Sequence, residues 1–295
     1  MARLFTFGCS YTYYLGCPTW SPFLGLEFDN YENWGIPGSG CRSISERVAE
    51  CHARNNINAD DIVIVQWTYY LRHDYCKFVK DNQYHWRAKG SIFEEVNSKI
   101  FTPWWIDTFF DESAYVMHSL NAIISVISLL KSTGCTWYMT SIGDFTKLGS
   151  DLDNYKADEK INSNEISIQK DFPQYNFYID RIWSENKDHW IKPIACHAIE
   201  NPDKNWLFKN KKGEWCISER HPSAVQHVSW LNTYLRPLLG LGDPPKEQQL
   251  WLDAIAEVKE KADHDVFTFY TNINTKGYPH KFWPDDIWFK KVPGF

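Results

Sequence analysis

Short apolar runs and longer segments with helical spacing alternate along the first half of the chain. Residues 4–7, 60–68 and 135–142 are rich in β-branched and aromatic side chains, as is typical of buried strands. Residues 41–54 and 112–131 place apolar side chains at helical spacing. This alternation of strands and helices predicts an α/β fold with a central parallel sheet and crossover helices.

The second half is less regular. Pro222 fits the first turn of a helix within residues 214–238, whose predicted apolar face is Val225, Val228, Leu231 and Leu235. A last helix is expected at residues 245–262. We predict one α/β domain over residues 1–240, with aromatic-rich insertions at about 75–110 and 145–215, the second of them partly helical. Residues 241–295 would add a C-terminal helix and an aromatic tail packed on the same domain.

Composition and charge exclude several classes of protein. The chain is 43% hydrophobic and 23% charged, with a net charge of −6, so a nucleic-acid partner is not expected. No uninterrupted apolar run approaches the roughly 20 residues of a membrane span, and we expect no membrane association. The eight cysteines are scattered and none forms a metal-type pair. Without a signal peptide, these features predict a cytoplasmic protein that needs no metal or cofactor.

Aromatic residues are unusually frequent, with 15 Trp, 16 Tyr and 18 Phe. Many fall in the predicted insertions. One interpretation is that they attach these insertions to the core. The other is that they form a surface that binds a sugar or a lipid.

The candidate nucleophile is Ser10, which follows the first predicted strand. Gly8 allows a sharp turn there, and ligands of open α/β sheets bind at the carboxyl ends of the strands. The alternative is a polar residue in an ordinary turn. A glycine-rich segment, residues 35–40, precedes the predicted helix at 41–54, and its backbone N–H groups could approach an anionic centre.

His221 and Glu219 complete a possible catalytic group. His221 precedes Pro222 at the start of a late helix, so it could meet Ser10 over the same sheet edge. Glu219 could orient the imidazole and stabilise its charge. Tyr11, Trp67 and Arg72 lie near the expected edge, and we expect them to contact the substrate.

These segments resemble the conserved blocks of the SGNH/GDSL hydrolase superfamily. The matching segments are Gly8-Cys9-Ser10, residues 33–39 with Gly38 as the best match, and residues 218–223. The resemblance implies a flavodoxin-like three-layer sandwich, a serine nucleophile at Ser10, and an oxyanion hole that includes the N–H groups of Ser10 and Gly38. The first half of the chain also resembles SGNH-like proteins carried by marine bacteriophages.

Three positions differ from the family pattern. Cys9 stands where the family has an aspartate. Thr68 stands where the family has an oxyanion-hole asparagine, and we expect its hydroxyl to donate to the oxyanion in that residue's place. The family's acid lies three residues before the histidine, at the position of Ser218. The acid could therefore be Glu219, with Ser218 or a carboxylate from the insertions as alternatives.

Two functions follow as hypotheses. The first is a serine esterase or deacylase that acts on a small-molecule or glycan ester, such as an O-acetyl group. The second is a catalytically inactive SGNH fold that binds a carbohydrate or a virion partner. A thiol hydrolase using Cys9 is a third and more distant hypothesis. The sequence does not predict the oligomeric state.

Overall fold

The computed structural model describes residues 2–13, 18–79, 83–87, 92–93, 98–143, 147–148, 166–201, 203, 207–209, 215–217 and 221–261. The strands are β1 (Arg3–Phe7), β2 (Asn30–Asn33), β3 (Ile62–Trp67), β4 (Tyr75–Val79), β5 (Gln83–Arg87), β6 (Thr136–Ser141), β7 (Lys147–Leu148), β8 (Ile166–Ser167), β9 (Leu207–Lys209) and β10 (Trp215–Ile217). The α-helices are α1 (Trp20–Gly25), α2 (Cys41–Asn55), α3 (Pro103–Phe109), α4 (Glu112–Thr133), α5 (Ile168–Asp171), α6 (Asn176–Ile182), α7 (Ile194–Glu200), α8 (Ala224–Trp230), α9 (Arg236–Leu238) and α10 (Lys246–Lys261). Two 3-10 helices span Pro173–Tyr175 and Ser184–His189, and a π-helical turn, Leu231–Leu235, joins α8 to α9.

The central layer is a four-stranded sheet in the order β2-β1-β3-β6, and every pairing in it is parallel. This is the order of the first four strands of flavodoxin-like folds. The fifth position is reduced to a single parallel bridge between Met139 and Trp190. Ile191 N donates to Met139 O beside it at 2.8 Å. The predicted α/β fold with a central parallel sheet is therefore confirmed.

The two faces of the sheet are both covered by helices. One core cluster joins side chains of α2, α4 and α6 to one set of strand residues: Phe5, Phe7, Val63 and Val65. The other cluster joins α1, α7 and α8 to the residues that alternate with them: Leu4 and Ile64. Successive strand side chains point to opposite faces, and here both faces are apolar, as in parallel sheets buried on both sides. The flavodoxin-like three-layer sandwich is confirmed.

Helix α4 has the length and hydropathy of a membrane span, with a mean hydropathy of 1.5 over an 18-residue window. The helix is not the uninterrupted apolar run that the sequence analysis looked for, because polar residues such as His118 and Asn121 interrupt it. In this fold 44% of the window is buried. Val116, Leu120, Ile123 and Ile127 pack in the same core cluster as the sheet, so α4 has the packing of a core helix.

The insertions contain more regular structure than their sequences suggest. Residues 75–110 include an antiparallel hairpin of β4 and β5, together with α3. Residues 145–215 include α5, α6 and α7, in keeping with the partly helical segment expected there. Helix α10 packs against α1 through Trp251 and Phe23, whose ring centres are 5.4 Å apart. The predicted aromatic tail, residues 262–295, lies outside the described residues.

Helix α8 begins later than its sequence suggests. Pro222 lies before the helix, and Ser223 is the N-cap, with Gln226 completing a capping box. Val225, expected on the apolar face, is 54% exposed, whereas Val228 is 6% exposed. The buried face contains Ala224 and Val228, which are four residues apart and so lie on the same side of the helix. Val225 lies outside this face and points toward solvent.

This pair of valines offers a matched test of the packing. We expect Val228→Ala to lower the free energy of unfolding by about 2 kcal/mol, because it removes two buried methyl groups and leaves a cavity. Val225→Ala on the same helix should change it by less than about 0.5 kcal/mol. Urea denaturation of both variants measures the difference, and equal losses would contradict the observed orientation of α8.

Candidate functional site

Ser10 lies in a tight turn that follows β1. Cys9 O accepts hydrogen bonds from Thr12 N at 3.0 Å and from Tyr13 N at 2.9 Å. A Cβ at Gly8 would lie 2.1 Å from Thr12 Oγ1 and 3.1 Å from Gln66 Cβ. A side chain at position 8 would therefore displace the turn that presents Ser10 at the carboxyl edge of the sheet.

His221 contacts this serine directly. Its Nε2 lies 2.7 Å from Ser10 Oγ, which is the contact that the sequence predicts. The capping box that starts α8 fixes the backbone two residues later: Ser223 N donates to Gln226 Oε1 at 2.9 Å. Gln226 Nε2 in turn donates to the carbonyl oxygens of Ala198 and Asn201, each at 3.0 Å. The histidine is thus held through α8 and the end of α7.

Tyr11 packs against the imidazole. Its ring centre lies 4.8 Å from that of His221, at an interplanar angle of 39°, and the side chain is 5% exposed. We expected Tyr11 to contact the substrate. Its burial and its ring contact make it a support for His221, because little of its surface faces solvent.

A second histidine lies behind Tyr11. His227 is 1% exposed, and its ring centre is 6.3 Å from that of Tyr11. Burial, with a smaller contribution from the charge of His221, lowers the pKa of His227 to about 3. His227 is therefore neutral at physiological pH.

Gly38 forms the corner of the second site segment. Ser39 N donates to Ile36 O at 3.1 Å, and Gly38 has a φ of 76°. With Pro37 before it, this is the pattern of a type II turn, which requires a positive φ at its third residue. Among the described residues, no backbone carbonyl accepts a hydrogen bond from Gly38 N–H.

Thr68 follows β3 but is enclosed. The residue is 1% exposed, and its hydroxyl is buried without a hydrogen-bond partner in the described part of the chain. A donor of the oxyanion hole has to face the space where the charge develops. In this structure the Thr68 hydroxyl does not face open space, which argues against its expected role.

Trp67 and Arg72 differ from the substrate contacts that the sequence suggests. Trp67 is fully buried, and its Nε1 lies 3.3 Å from Met139 Sδ. It is a core residue because β3 is covered on both faces. Arg72 is half-buried and donates from Nη1 to Ser39 O at 2.8 Å. Arg72 therefore contacts the Gly38 turn.

The acid of the site stays a prediction. Glu219 and the alternative Ser218 lie outside the described residues. Cys9, at the family's aspartate position, is a fully buried free thiol 4.0 Å from Ser10 Oγ. Within the described ranges, no group of three or more His, Cys, Asp or Glu side chains could hold a metal ion.

The sequence analysis missed Asp74. The glycine-rich segment at residues 35–40 predicts an anionic centre at the start of the next helix, and the anion is the carboxylate of Asp74. Its oxygens accept from Gly40 N at 2.8 Å and from Ser43 N at 3.0 Å. One signal was present in the sequence. Gly40 is the N-cap of α2 and has no side chain, so another residue has to cap the helix.

A cavity of about 780 Å³ lies beside this segment. Its lining includes Arg72 and Asp74, polar side chains of α2 and α4, and aromatic side chains of α3. Neither Ser10 nor His221 lines it. The short distance between these two residues, and not the size of a cavity, therefore locates the candidate site.

Comparisons with known proteins give structural likeness alone. No protein-family model and no curated protein matches the chain. Among solved structures it is similar to a member of the lipolytic protein G-D-S-L family from Veillonella parvula DSM 2008, with a TM-score of 0.40 and 11% identity, over 79% of this chain and 95% of that one. It is also similar to protein YXIM of Bacillus subtilis, with a TM-score of 0.36 and 11% identity, over 79% of this chain and 56% of that one. The resemblance to bacteriophage proteins has no support in these comparisons.

The space around Gly8 predicts a destabilised turn in Gly8→Ala. The new Cβ would overlap Thr12 Oγ1, and overpacking of this kind costs about 1–3 kcal/mol. Gly242→Ala is the control, because a Cβ there would meet no atom within 4 Å. Thermal unfolding of both variants measures the effect. A Gly8→Ala protein as stable as Gly242→Ala would mean that the turn is wrongly placed.

Thr68→Val tests whether the hydroxyl of Thr68 is used. Removing a buried hydroxyl without a partner should raise the free energy of unfolding by about 1 kcal/mol. Because the hydroxyl does not face open space, kcat for any ester that the protein cleaves should stay within about 2-fold. A loss of roughly 100- to 1000-fold, as expected for an oxyanion-hole donor, would instead restore the role that the sequence suggests.

Proposed function

We propose that this protein is a serine hydrolase of SGNH type, which cleaves an ester through an acyl-enzyme on Ser10. The observation that supports this most directly is the 2.7 Å distance between His221 Nε2 and Ser10 Oγ. Nucleophile and base lie at hydrogen-bond distance in ligand-free geometry, at the sheet edge where parallel α/β folds bind ligands.

In the first half-reaction His221 Nε2 takes the proton of Ser10 as its Oγ attacks the carbonyl carbon of the ester. The carbonyl π electrons move to oxygen and give a tetrahedral oxyanion. When this intermediate collapses, the bond to the alcohol oxygen breaks, and the imidazolium of His221 gives that oxygen its proton. The acyl group then remains on Ser10.

In the second half-reaction a water molecule attacks the acyl carbon while His221 accepts one of its protons. Collapse of the second tetrahedral intermediate releases a carboxylic acid and returns the proton to Ser10. The packing of Tyr11 on the imidazole keeps the ring in one orientation. The neutral His227 avoids a second positive charge beside the imidazolium.

The oxyanion would be bound by the N–H groups of Ser10 and Gly38. In support of this assignment, no backbone carbonyl in the described ranges accepts from Gly38 N–H. Because the Thr68 hydroxyl is enclosed, no side-chain donor is assigned. Loss of one donor costs about 100- to 1000-fold in rate, so we expect turnover to be slow compared with enzymes that retain an asparagine there.

The substrate class in this proposal is a small-molecule or glycan ester. Helix α3 carries exposed aromatic side chains, with Trp104 68% and Phe109 58% exposed. Flat aromatic surfaces of this kind can pack against sugar or acyl groups. Partners, cytoplasmic location and the absence of a cofactor stay predictions from the sequence.

A second candidate is a binding protein that has lost catalysis. The enclosed hydroxyl of Thr68, at the position of a catalytic asparagine, is the observation in its favour. Retention of the Ser10–His221 contact is the observation against it, because binding alone requires no activated serine.

Labelling with a fluorophosphonate separates the two candidates. Wild-type protein should be labelled at Ser10 and should hydrolyse a short-chain p-nitrophenyl ester. Ser10→Ala should abolish labelling and lower kcat roughly 10⁴-fold or more. Its melting temperature should change by less than about 4 °C, since only one partly buried hydrogen bond is lost.

Ser132→Ala is the control, because this hydroxyl lies at the exposed end of α4 and donates to Leu129 O within the same helix. It should leave labelling and turnover unchanged. An unlabelled wild-type protein would favour the binding protein. Labelled Ser10→Ala protein would place the nucleophile at another residue.

A further inference from the structure

The loop between β3 and β4 contacts the Gly38 turn at one point and the start of α2 at two. Arg72 Nη1 donates to Ser39 O at 2.8 Å. Asp74 accepts from Gly40 N on Oδ1 at 2.8 Å and from Ser43 N on Oδ2 at 3.0 Å. These bonds join residues about 30 positions apart in the chain. They fix the backbone on the C-terminal side of Gly38.

Arg72 also reaches the nucleophile turn. The Cys9 side chain, in the residue before Ser10, acts electrostatically on the Arg72 guanidinium and favours its charged form. Arg72 therefore donates a hydrogen bond to the Gly38 turn and interacts electrostatically with the turn that carries Ser10. A guanidinium suits this position because its five N–H donors are held in one rigid plane.

The packing around Asp74 leaves no space for a side chain at position 40. A Cβ at Gly40 would lie 2.5 Å from Asp74 Oδ2 and 3.0 Å from Arg72 Cβ. Asp74 is 5% exposed. Asp74 thus caps α2 from the loop after β3, in a space that excludes any side chain at Gly40. This cap fixes the start of α2 relative to β3.

From these contacts we propose that Arg72 and Asp74 are positioning residues, which hold the Gly38 turn at the distance from Ser10 that an oxyanion requires. The inference rests on the proposed hydrolase function and extends it to two residues that touch no reacting atom. Oxyanion-hole donors have to be placed within a few tenths of an ångström. Loosening these contacts should therefore affect the transition state more than substrate binding.

The charge of Asp74 adds a pH-dependent readout. Burial raises its pKa to about 6, against the opposing effects of the Ser43 and Gly40 N–H groups and Arg72. Tyr115 of α4 and Cys41 of α2 also face the carboxylate, and burial raises the pKa of each of them to about 12. The other titratable groups around the same cavity are Arg42, Glu46, His73 and His118.

Ionisation of Asp74 should lower the stability of the folded protein and raise kcat. The pKa is raised on folding, so the contribution of Asp74 to stability is full below about pH 4 and is lost as the pH rises through about 6. When the Asp74 carboxylate is ionised, neither of its oxygens carries a proton, so each can accept fully from its own N–H group. The positioning effect on kcat should therefore increase over the same range.

The central test is Asp74→Asn in the full-length protein, with a p-nitrophenyl ester as the probe. An amide can accept only one of the two N–H bonds. We expect kcat and the rate of fluorophosphonate labelling at Ser10 to fall about 10-fold, with KM within 2-fold. The variant should also lose one ionisation near pH 6 from the acid limb of the kcat profile.

Glu46→Gln is the matched control. It neutralises a carboxylate on α2 in the same cavity, where Glu46 pairs with Arg42 at 2.9 Å and is 46% exposed. Its kcat should stay within 2-fold of the wild type. Arg72→Lys is a second variant that leaves the cap of α2 in place. It should also lower kcat about 10-fold, because a flexible ammonium cannot hold Ser39 O in the fixed geometry of the planar guanidinium.

An independent readout does not require turnover. The amide resonances of Gly40 and Ser43 should titrate with a midpoint near pH 6 in the wild type and lose that titration in Asp74→Asn. Unchanged kcat in both Asp74→Asn and Arg72→Lys, with only a lower melting temperature, would overturn the positioning role and leave a plain helix cap. If fluorophosphonate does not label the wild-type protein, the hydrolase function is refuted, and the catalytic role of Arg72 and Asp74 with it. The amide titration would still report the contact of Asp74 with Gly40 and Ser43.

Discussion

The geometry of the candidate site depends on how strand β1 is held. It pairs with β2 on one side and β3 on the other, and helices cover both of its faces. A strand held in this way cannot slide by one residue, because every buried side chain would then change face. Ser10 follows three residues after the strand, so the sheet fixes the position of the nucleophile.

The imidazole lies against a largely apolar wall. The ring of Tyr11 contacts those of both His221 and His227, and burial keeps His227 uncharged. In a pair of nearby imidazoles, one that is held neutral leaves the other free to accept a proton without repulsion. Tyr11 and His227 therefore influence both the orientation and the charge of the imidazole that contacts Ser10.

The parts of the structure that the sequence predicts are those decided by local pattern. Strands β3 and β6 and helices α2 and α4 follow from continuous apolar runs and helical spacing. The Ser10–His221 contact follows because both residues were placed at the carboxyl edge of one sheet. The predicted residues thus meet where the topology of a parallel sheet brings them together.

The parts that the sequence does not predict depend on contacts between distant segments. Nothing local shows that Trp67 is enclosed on both faces of the sheet, or that Tyr11 lies on His221 and not toward solvent. Asp74 looks like a solvated acid until α2 is seen to begin at a glycine without a capping side chain. Val225 and Val228 are chemically identical, and only the packing of α8 distinguishes them.

The segment that carries His221 is attached to the sheet through α7, near the end of the long insertion. Ala195 N of α7 donates to Ile142 O just after β6 at 2.9 Å, and α7 in turn accepts the amide of Gln226 from α8. Because these bonds run from the sheet through α7 and α8 toward the histidine, sequence and length between β6 and α5 can drift over evolution without moving the imidazole. Lineages of this fold could therefore acquire new substrate ranges in that segment while inheriting the same reactive pair.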